Sequence, residues 1–414
     1  MGHHDIGIIG GGCAGLFLAR ELALLNCDCV VIEKNPAASH ASTRNQGWLQ
    51  SGAFYAATND IVAARGCREG YEYITRTYRD TILQEVESYY LFRTEQGLAE
   101  TIERCRRQNI PIAEVTDNEI RQLQATNSIL YGTPLDYVAR SEDWPFDTHH
   151  LLQSIANEIA SQGVEHIEVD SMSDIAAARE SNSWKVDLGD GKRVDCRTLV
   201  LACGAYIPEL LQSIAPEISL DIGITKTPVL ILQGDQICGP AIMMPLEPGG
   251  PNIVPFRTYR DINGVSVCLS RKDLSIGSAT DYSLPPKTPE AFAASLDSRL
   301  PGIKGLVQAS RNNAIVAHFY MCQKLKELTG SSRGPLTKYY EGHQLGVFYP
   351  GKFTSSPISA GRFAEDLCTQ IGETKVAISH SNPLPVAPQR YYDQADHGVE
   401  VVAERLRFRL LQGD

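Results

Sequence analysis

The chain opens with two kinds of apolar patterning. Asp5 to Gly10 carries the unbroken run Ile6-Gly7-Ile8-Ile9, the length of a buried strand. From Cys13 to Asn26 apolar residues recur at Leu16, Leu18, Leu22 and Leu25, which predicts a helix. Cys27 to Glu33, Cys-Asp-Cys-Val-Val-Ile-Glu, returns to a strand. Strand, helix and strand within roughly thirty residues make a βαβ unit, which lays two parallel strands side by side.

Helical spacing then dominates from Asp60 to Gln124, a stretch rich in Arg, Glu and Tyr. A helix from Asp147 to Gln162 is opened by Asp147-Thr148 and closed by Gly163, and it leads to a strand from Val164 to Val169. Trp184 to Leu188, the turn Gly189-Asp190-Gly191 and Val194 read as a hairpin, and Thr198 to Cys203 reads as a buried strand. Ile224 to Gly234 and Asn252 to Ser270 are strands of another character, interrupted by Pro, Gly and aromatic residues, and they predict a second, antiparallel sheet. Pro285-Pro286 to Pro289 breaks the chain before a helix. Gln344 to Pro350 is a further strand, Ala360 to Ile371 a strong helix, and Val399 to Leu411 an amphipathic helix in a proline-bearing tail.

These elements predict an α/β (α+β) protein: a Rossmann-like domain and a second antiparallel-sheet domain that binds substrate. The expected division is discontinuous. Residues 1–80, 141–220 and 335–375 form the first domain, residues 81–140 and 221–334 the second, and residues 376–414 a C-terminal tail and helix. A chain of 414 residues is long enough for two or three cores.

Composition narrows the partners. The formal net charge of −11 gives nothing to gain from counterion release on DNA, so nucleic acid is not expected. No apolar run reaches the roughly 18 residues of a membrane span. The opening Met1-Gly2-His3-His4-Asp5 has no secretory pattern, so a cytoplasmic location is expected. Eleven scattered cysteines with no Cys-x-x-Cys spacing predict neither a metal site nor a disulfide framework, but reduced, mostly buried thiols.

The chemistry begins at Gly10-Gly11-Gly12-Cys13-Ala14-Gly15, which fits G-x-G-x-x-G between a strand and a helix. Gly10 permits the tight turn, Gly12 lets backbone approach a pyrophosphate, and Gly15 lets helix and sheet pack closely. Cys13 and Ala14 open the helix, whose free N–H groups attract the negative charge. Glu33, followed by Lys34, ends the second strand, where a carboxylate can accept hydrogen bonds from a ribose diol. One such fingerprint is present, which argues against a second nucleotide such as NAD(P)H as reductant.

The next stretch, Ser42-Thr43-Arg44-Asn45-Gln46-Gly47-Trp48-Leu49-Gln50-Ser51-Gly52, is polar and Gly-punctuated, as a loop along an elongated cofactor should be. Here the chain resembles the D-amino-acid-oxidase-like flavoproteins, nearest in look to the glycerol-3-phosphate and L-2-hydroxyglutarate dehydrogenases. The resemblance implies FAD as cofactor, held along Thr43, Arg44, Asn45, Gln46, Gly47, Trp48 and Leu49. It also places Ala202 and Gly204, in Ala202-Cys203-Gly204-Ala205, and Gly351, Lys352, Phe353 and Thr354, in the turn before the last helix, beside the cofactor. Val169 matches a residue that family members set against the adenine. One departure stands out: the family's histidine in the second stretch is Gln50 here, and Gln is no base at neutral pH. No Gly-Asp motif leads into the last cofactor helix, which disfavours a hydroxylase of the hydroxybenzoate type.

The implied activity is oxidation of a C–H next to an amine or hydroxyl of a small, anionic molecule: an amino acid, a hydroxy acid or a phosphorylated alcohol. The acceptor would be oxygen or another non-NAD molecule. Candidate catalytic residues are His318 (base, ligand clamp or covalent anchor), Tyr320, Arg257 as an anion holder between Phe256 and Tyr259, and Lys352, facing either the flavin or a substrate anion. Lys226, Arg260, Arg271 and Lys272 complete the basic residues of the second domain, with Cys322 near His318. The other reading is a flavin-binding protein without catalysis, serving a partner.

Overall fold

The computed structural model describes residues 3–34, 41–43, 45–83, 85, 87–171, 175–189, 191–233, 239–257, 263–303, 316–328, 334–371 and 400–401. The chain begins with β1 (His3–Ile9), α1 (Cys13–Leu24), β2 (Cys29–Lys34), β3 (Trp48–Leu49), α2 (Ala53–Ala57) and α3 (Ile61–Thr77). It continues through β4 (Ser88–Phe92), α4 (Glu95–Arg107), β5 (Ile112–Glu114), α5 (Asp117–Thr126), β6 (Tyr137–Ser141), β7 (Trp144–Pro145) and α6 (Thr148–Ser161). Then come β8 (Glu165–Val169), β9 (Ala176–Glu180), β10 (Ser183–Asp187), β11 (Arg193–Leu201), α7 (Ile207–Ile214), β12 (Ile222–Gln233), β13 (Ala241–Met243), β14 (Pro251–Arg257), β15 (Asn263–Leu269) and β16 (Leu274–Ile276). α8 (Thr288–Arg299), β17 (Val316–Glu327), β18 (Leu336–Tyr340), β19 (Leu345–Tyr349), α9 (Ser356–Ile371) and β20 (Glu400–Val401) complete it.

The first sheet runs β18-β19-β11-β1-β2-β8, with β10 on β11 and β9 on β10. β1 lies between β2 and β11, parallel to both, with Ile6 opposite Cys29 and Thr198. Ile6, Ile8 and Ile9 are fully buried, as a strand covered on both faces requires. Helix α1 turns Leu16, Phe17, Leu18 and Leu22 inward and packs with α6 and α9. The sulfurs of Cys27, just past α1, and Cys368, on α9, are joined; the expectation of uniformly reduced thiols does not hold for this pair, whose separation of 341 residues left no local spacing to read. The eight other described cysteines are outside this disulfide.

The second sheet runs β20-β17-β12-β15-β14-β13-β4-β6-β5, with β16 also on β12. Its pairings are antiparallel except β13 with β4. One face buries Leu230, Leu232, Ile253, Val265 and Val267 against α8, where Phe292 meets Phe319 edge-on with ring centroids 5.0 Å apart.

Three expectations are corrected. The helical reading of 60–124 misses β4 and β5. Ser88-Tyr-Tyr-Leu-Phe92 alternates buried and half-buried positions, the period of a strand, between two amphipathic helices. Residues 400 and 401 are extended instead of helical: Val401 and Glu400 pair with His318 and Phe319 on the edge strand β17, whose open backbone groups favour an added strand. The rest of that tail lies outside the described residues. α9 begins at Ser356, one turn before the expected Ala360.

The two sheets meet through the segment after β2. β3 pairs with β7, and beyond it Ser51 reaches a fully buried carboxylate, Asp143. Asp143 accepts from the Ser51 N–H at 2.5 Å, the Tyr90 hydroxyl at 2.5 Å and the Ser88 hydroxyl at 3.3 Å. Burial pushes its pKa up, and those donors pull it back. Asp143 therefore ties the turn carrying Gln50 and Ser51 to β4 of the second sheet.

Candidate active site

Between the sheets lies a cavity of about 300 Å³ that reaches from the Gly10–Ala14 turn to the ends of β15 and β17. At its first end, Gly10 has φ +118°, and a Cβ there would stand 2.7 Å from the Ala202 carbonyl. Gly15 is held closer still: its Cβ would fall 1.7 Å from the Gly10 oxygen, so helix and strand touch through backbone alone. No side chain of the N-cap residue Gly12 caps α1. The Cys13 N–H donates instead to the Ser42 hydroxyl at 2.9 Å, which leaves the helix start open toward the cavity.

Glu33 sits beside that turn, 8% exposed, accepting from Gly11 N–H at 2.5 Å and Lys34 N–H at 2.7 Å. Burial lifts its pKa from the ordinary 4.5 to about 7, against the lowering effect of the two N–H groups. The Lys34 ammonium lies 2.8 Å from the Tyr206 hydroxyl and 4.2 Å from its ring centroid. The raised pKa has a consequence for the flavin-free protein. An unfolded chain releases the Glu33 proton near 4.5, whereas the folded chain holds it to about 7. Stability from this group is therefore full below pH 4.5 and declines as pH rises to about 7, by on the order of 3 kcal/mol at most. Thermal melts of apoprotein should accordingly fall from pH 5 to pH 8 more steeply in wild type than in Glu33→Gln. Parallel slopes would remove Glu33 as the cause.

The far end of the cavity is built from the turn before α9 and from the second sheet. Gly351, with φ +77°, turns the chain so that Lys352 lies 5.0 Å from the Tyr55 ring centroid. The Thr354 hydroxyl accepts from the Gln50 N–H at 3.2 Å, locking this turn to the segment after β3. Gln50 accepts a weak contact from the Cys67 thiol at 3.7 Å. Opposite, Lys324 pairs with Asp273 at 3.0 Å, and Thr227 donates to the same carboxylate at 2.6 Å. Tyr349, Cys322, Leu269, Ser270 and Arg271 complete this wall. Burial pushes the Tyr349 phenol well up, so it stands as a neutral hydroxyl.

Of the residues singled out in the sequence, Gly10, Gly12, Cys13, Ala14, Glu33, Lys34, Asn45, Gln46, Trp48, Ala202, Gly204, Gly351, Lys352, Phe353 and Thr354 line this one cavity. Gly15, Thr43, Gly47 and Leu49 sit behind it: Thr43 and Leu49 are fully buried, and Gly47 donates to the Asn45 side chain at 2.8 Å. Val169 is buried in the sheet core, paired with Lys34. Arg44, Tyr259 and Arg260 lie outside the described residues, and so do the side chains of Arg257, His318 and Tyr320, whose backbones sit on β14 and β17. Lys226 is not at the cavity. It is buried, and its ammonium meets Asp281 at 2.8 Å and Ser283 at 2.7 and 3.1 Å, which uses all three protons. Reading the sequence missed Ser42, Tyr55, Tyr206, Asn252, Lys324 and Tyr349 as lining residues. Ser42 opens, and Tyr206 follows, a stretch singled out in the sequence, while Asn252 and Lys324 carry no local signal.

A dinucleotide fingerprint on a parallel sheet, open to a cavity roofed by an antiparallel sheet, defines a two-sheet flavoprotein oxidoreductase. The chain belongs to the FAD dependent oxidoreductase family, whose model matches residues 5–320. It is 33% identical over 122 residues to one of the subunits of anaerobic glycerol-3-phosphate dehydrogenase from Haemophilus influenzae, covering 29% of this chain and 21% of that protein. The Escherichia coli protein of the same name is 31% identical over 132 residues, 31% of this chain and 24% of its own length. The chain thus spans under a quarter of these curated relatives. In fold it is similar to L-alpha-glycerophosphate oxidase from Mycoplasma pneumoniae solved with FAD bound, with TM-score 0.69, 14% identity, and coverage of 94% of this chain and 99% of that one. It is similar also to L-proline dehydrogenase from P. horikoshii, with TM-score 0.66, 16% identity, and coverage of 91% and 96%.

The residues fit FAD. No N-cap side chain closes the start of α1, the turn at Gly10 admits no side chain, and the buried indole N–H of Trp48 on the cavity wall has no partner among the described residues. Such a buried donor is satisfied when a carbonyl or ring nitrogen is set against it. Among the described residues no group of three or more side chains could hold a metal ion, and no helix is long and apolar enough to cross a membrane.

Proposed function

We propose that this protein oxidises a small anionic molecule at a C–H bond next to an amine or hydroxyl, the substrate lying between the Lys352 turn and the wall of β15 and β17. The observation that carries the reading is one continuous cavity with a nucleotide cradle at one end and lysine, arginine and tyrosine side chains at the other. FAD held in this cavity would supply a two-electron acceptor for the substrate's hydride, to be reoxidised by oxygen or another acceptor that is not a nicotinamide. The chain supplies the rest. Ser42 and the α1 N–H groups hold the pyrophosphate, and Glu33 the ribose diol. Lys352 draws the substrate's anionic group, Leu269, Val229 and Cys268 keep the wall apolar, and His318 takes the proton released from the amine or hydroxyl. A cytoplasmic location belongs to the same proposal; the Cys27–Cys368 bond is the observation that weighs against it.

The test is direct. Denatured protein should release FAD, identified by chromatography. Anaerobic addition of amino acids, N-methyl amines, hydroxy acids or glycerol 3-phosphate should bleach the bound flavin near about 450 nm with one of these classes. A flavin that none of them bleaches leaves the non-catalytic, partner-serving reading in its place.

A further inference from the structure

We propose that Arg271 is the specificity-determining residue of this site, receiving an oxyanion group of the substrate at the end remote from the oxidised carbon. The proposal rests on the catalytic reading above and adds the substrate class: acids or phosphate esters with a carboxylate or phosphate at that far end.

Three observations converge on Arg271. Among the described residues, six other than glycine have left-handed backbone: Asn26, Asn59, Asn109, Ser181, Arg271 and Gln344. Three are asparagine, which tolerates that region. Arg271, with φ +58°, is the one that lines the cavity. Strained backbone of this kind persists where surrounding structure over-determines it, and functional sites concentrate it.

That surrounding structure is present. The preceding residue, Ser270, is 2% exposed, and both its backbone groups are held: its N–H donates to Gly250 O at 2.9 Å, and its carbonyl accepts from Gly249 N–H at 2.8 Å. Its hydroxyl accepts from the buried Asn252 amide at 2.8 Å and donates to Met244 O at 3.0 Å, while Asn252 also accepts from Met244 N–H at 3.0 Å. The end of β15 is thereby pinned, and Arg271 follows directly on a fixed base.

The third observation is what the guanidinium does not do. Two of the other cations on the cavity wall are engaged, Lys34 with Tyr206 and Lys324 with Asp273, and Lys352 stands at the turn before α9. Arg271 makes no hydrogen bond or ion pair with the described residues. Arg271 is exposed where it lines the cavity, and its five N–H donors in a planar fork match a carboxylate or phosphate bidentately.

Arg271→Gly removes the fork and the strain together, which separates the proposal from a structural role. The holoenzyme of this variant should melt at the wild-type temperature or above it. Its KM should rise about 10- to 100-fold for glycerol 3-phosphate or glutamate, whichever the wild type oxidises, with kcat within about twofold. KM for the partner lacking the far group, glycerol or alanine, should stay where it was. Which acid responds tells phosphate from carboxylate, and Arg271→Lys should restore part of the loss. A lowered melting temperature, an unchanged KM, or equal losses for charged and neutral partners overturns the proposal. Should no compound bleach the wild-type flavin, only the catalytic reading falls. Arg271 is then tested by titrating holoenzyme with inorganic phosphate and with malonate: a saturable flavin absorbance change in wild type that Arg271→Gly abolishes upholds the site, and its persistence in the variant removes it.

Discussion

Gly12→Leu should yield a folded, colourless protein, and Gly15→Ala should yield hardly any folded protein at all. The two glycines share a fingerprint but not a task. At Gly12 a Cβ would meet only the Ser42 side chain, at 2.8 Å, and φ is −81°, open to any residue. The fold therefore accepts a side chain there, with Ser42 swinging aside. What it fills is the space against the α1 N–H groups, so FAD affinity should fall at least about 100-fold, or about 2.7 kcal/mol. At Gly15 a Cβ would stand 1.7 Å from the Gly10 oxygen and 2.9 Å from its carbonyl carbon, both rigid backbone. The helix would have to lift from the sheet along Leu16, Phe17 and Leu18, at a cost of at least about 3 kcal/mol. Far-UV circular dichroism, soluble yield and flavin released per chain read both variants. Stoichiometric FAD in Gly12→Leu would move the pyrophosphate away from α1, and a wild-type melt for Gly15→Ala would refute the helix–sheet contact.

This contrast marks where the sequence was legible. The βαβ unit was readable because strand, glycines, helix and acid are contiguous, and each makes a demand that few residue types meet. Ile6, Ile8 and Ile9 could only be a strand buried on both faces, and Gly10 with Gly15 only a close turn. The helix at Asp147 was equally plain, because Asp147 accepts from the His150 N–H and so announces its own start. β4 was hidden by context: Ser88-Tyr-Tyr-Leu-Phe92 has the right period, but five residues between α3 and α4 carry less weight than the helices around them.

The substrate end was harder because its members come from separate stretches that only the fold assembles. Lys226 illustrates the difficulty. In sequence it is one more basic residue near the second sheet, and nothing local reveals that Asp281 and Ser283, more than fifty residues away, consume its charge. Arg271 and Lys226 look alike as letters, but Lys226 is spent in the core and Arg271 is open to the cavity. Asp143 is a parallel case. Its neighbours in sequence suggest an exposed turn, yet Ser51, Ser88 and Tyr90 converge on it as a buried junction between the sheets.

Lys352→Met should raise KM for the anionic substrate about 100-fold, or about 2.7 kcal/mol, while kcat, flavin content and flavin potential hold. Methionine keeps the stem and removes the charge. FAD content should hold because the AMP half is gripped elsewhere, by the Gly10–Gly12 turn and Glu33. The charge is felt at this spot: burial pushes the Cys67 thiol up to about 12, and Lys352 is the strongest influence pulling it back. It also lies over the Tyr55 ring, a contact that orients the ammonium. An ammonium so placed binds the substrate's anion equally in ground and transition states, and such a loss falls on KM. If the charge acted on the flavin instead, the midpoint potential would drop in Lys352→Met and kcat would fall while KM stayed, so redox titration beside steady-state kinetics decides between the two. Lys226→Met supplies the contrasting control. Its ammonium is held by Asp281 and Ser283, so that variant should lose about 1 kcal/mol of thermal stability, the partly exposed Asp281 carboxylate being left to water, and leave KM untouched.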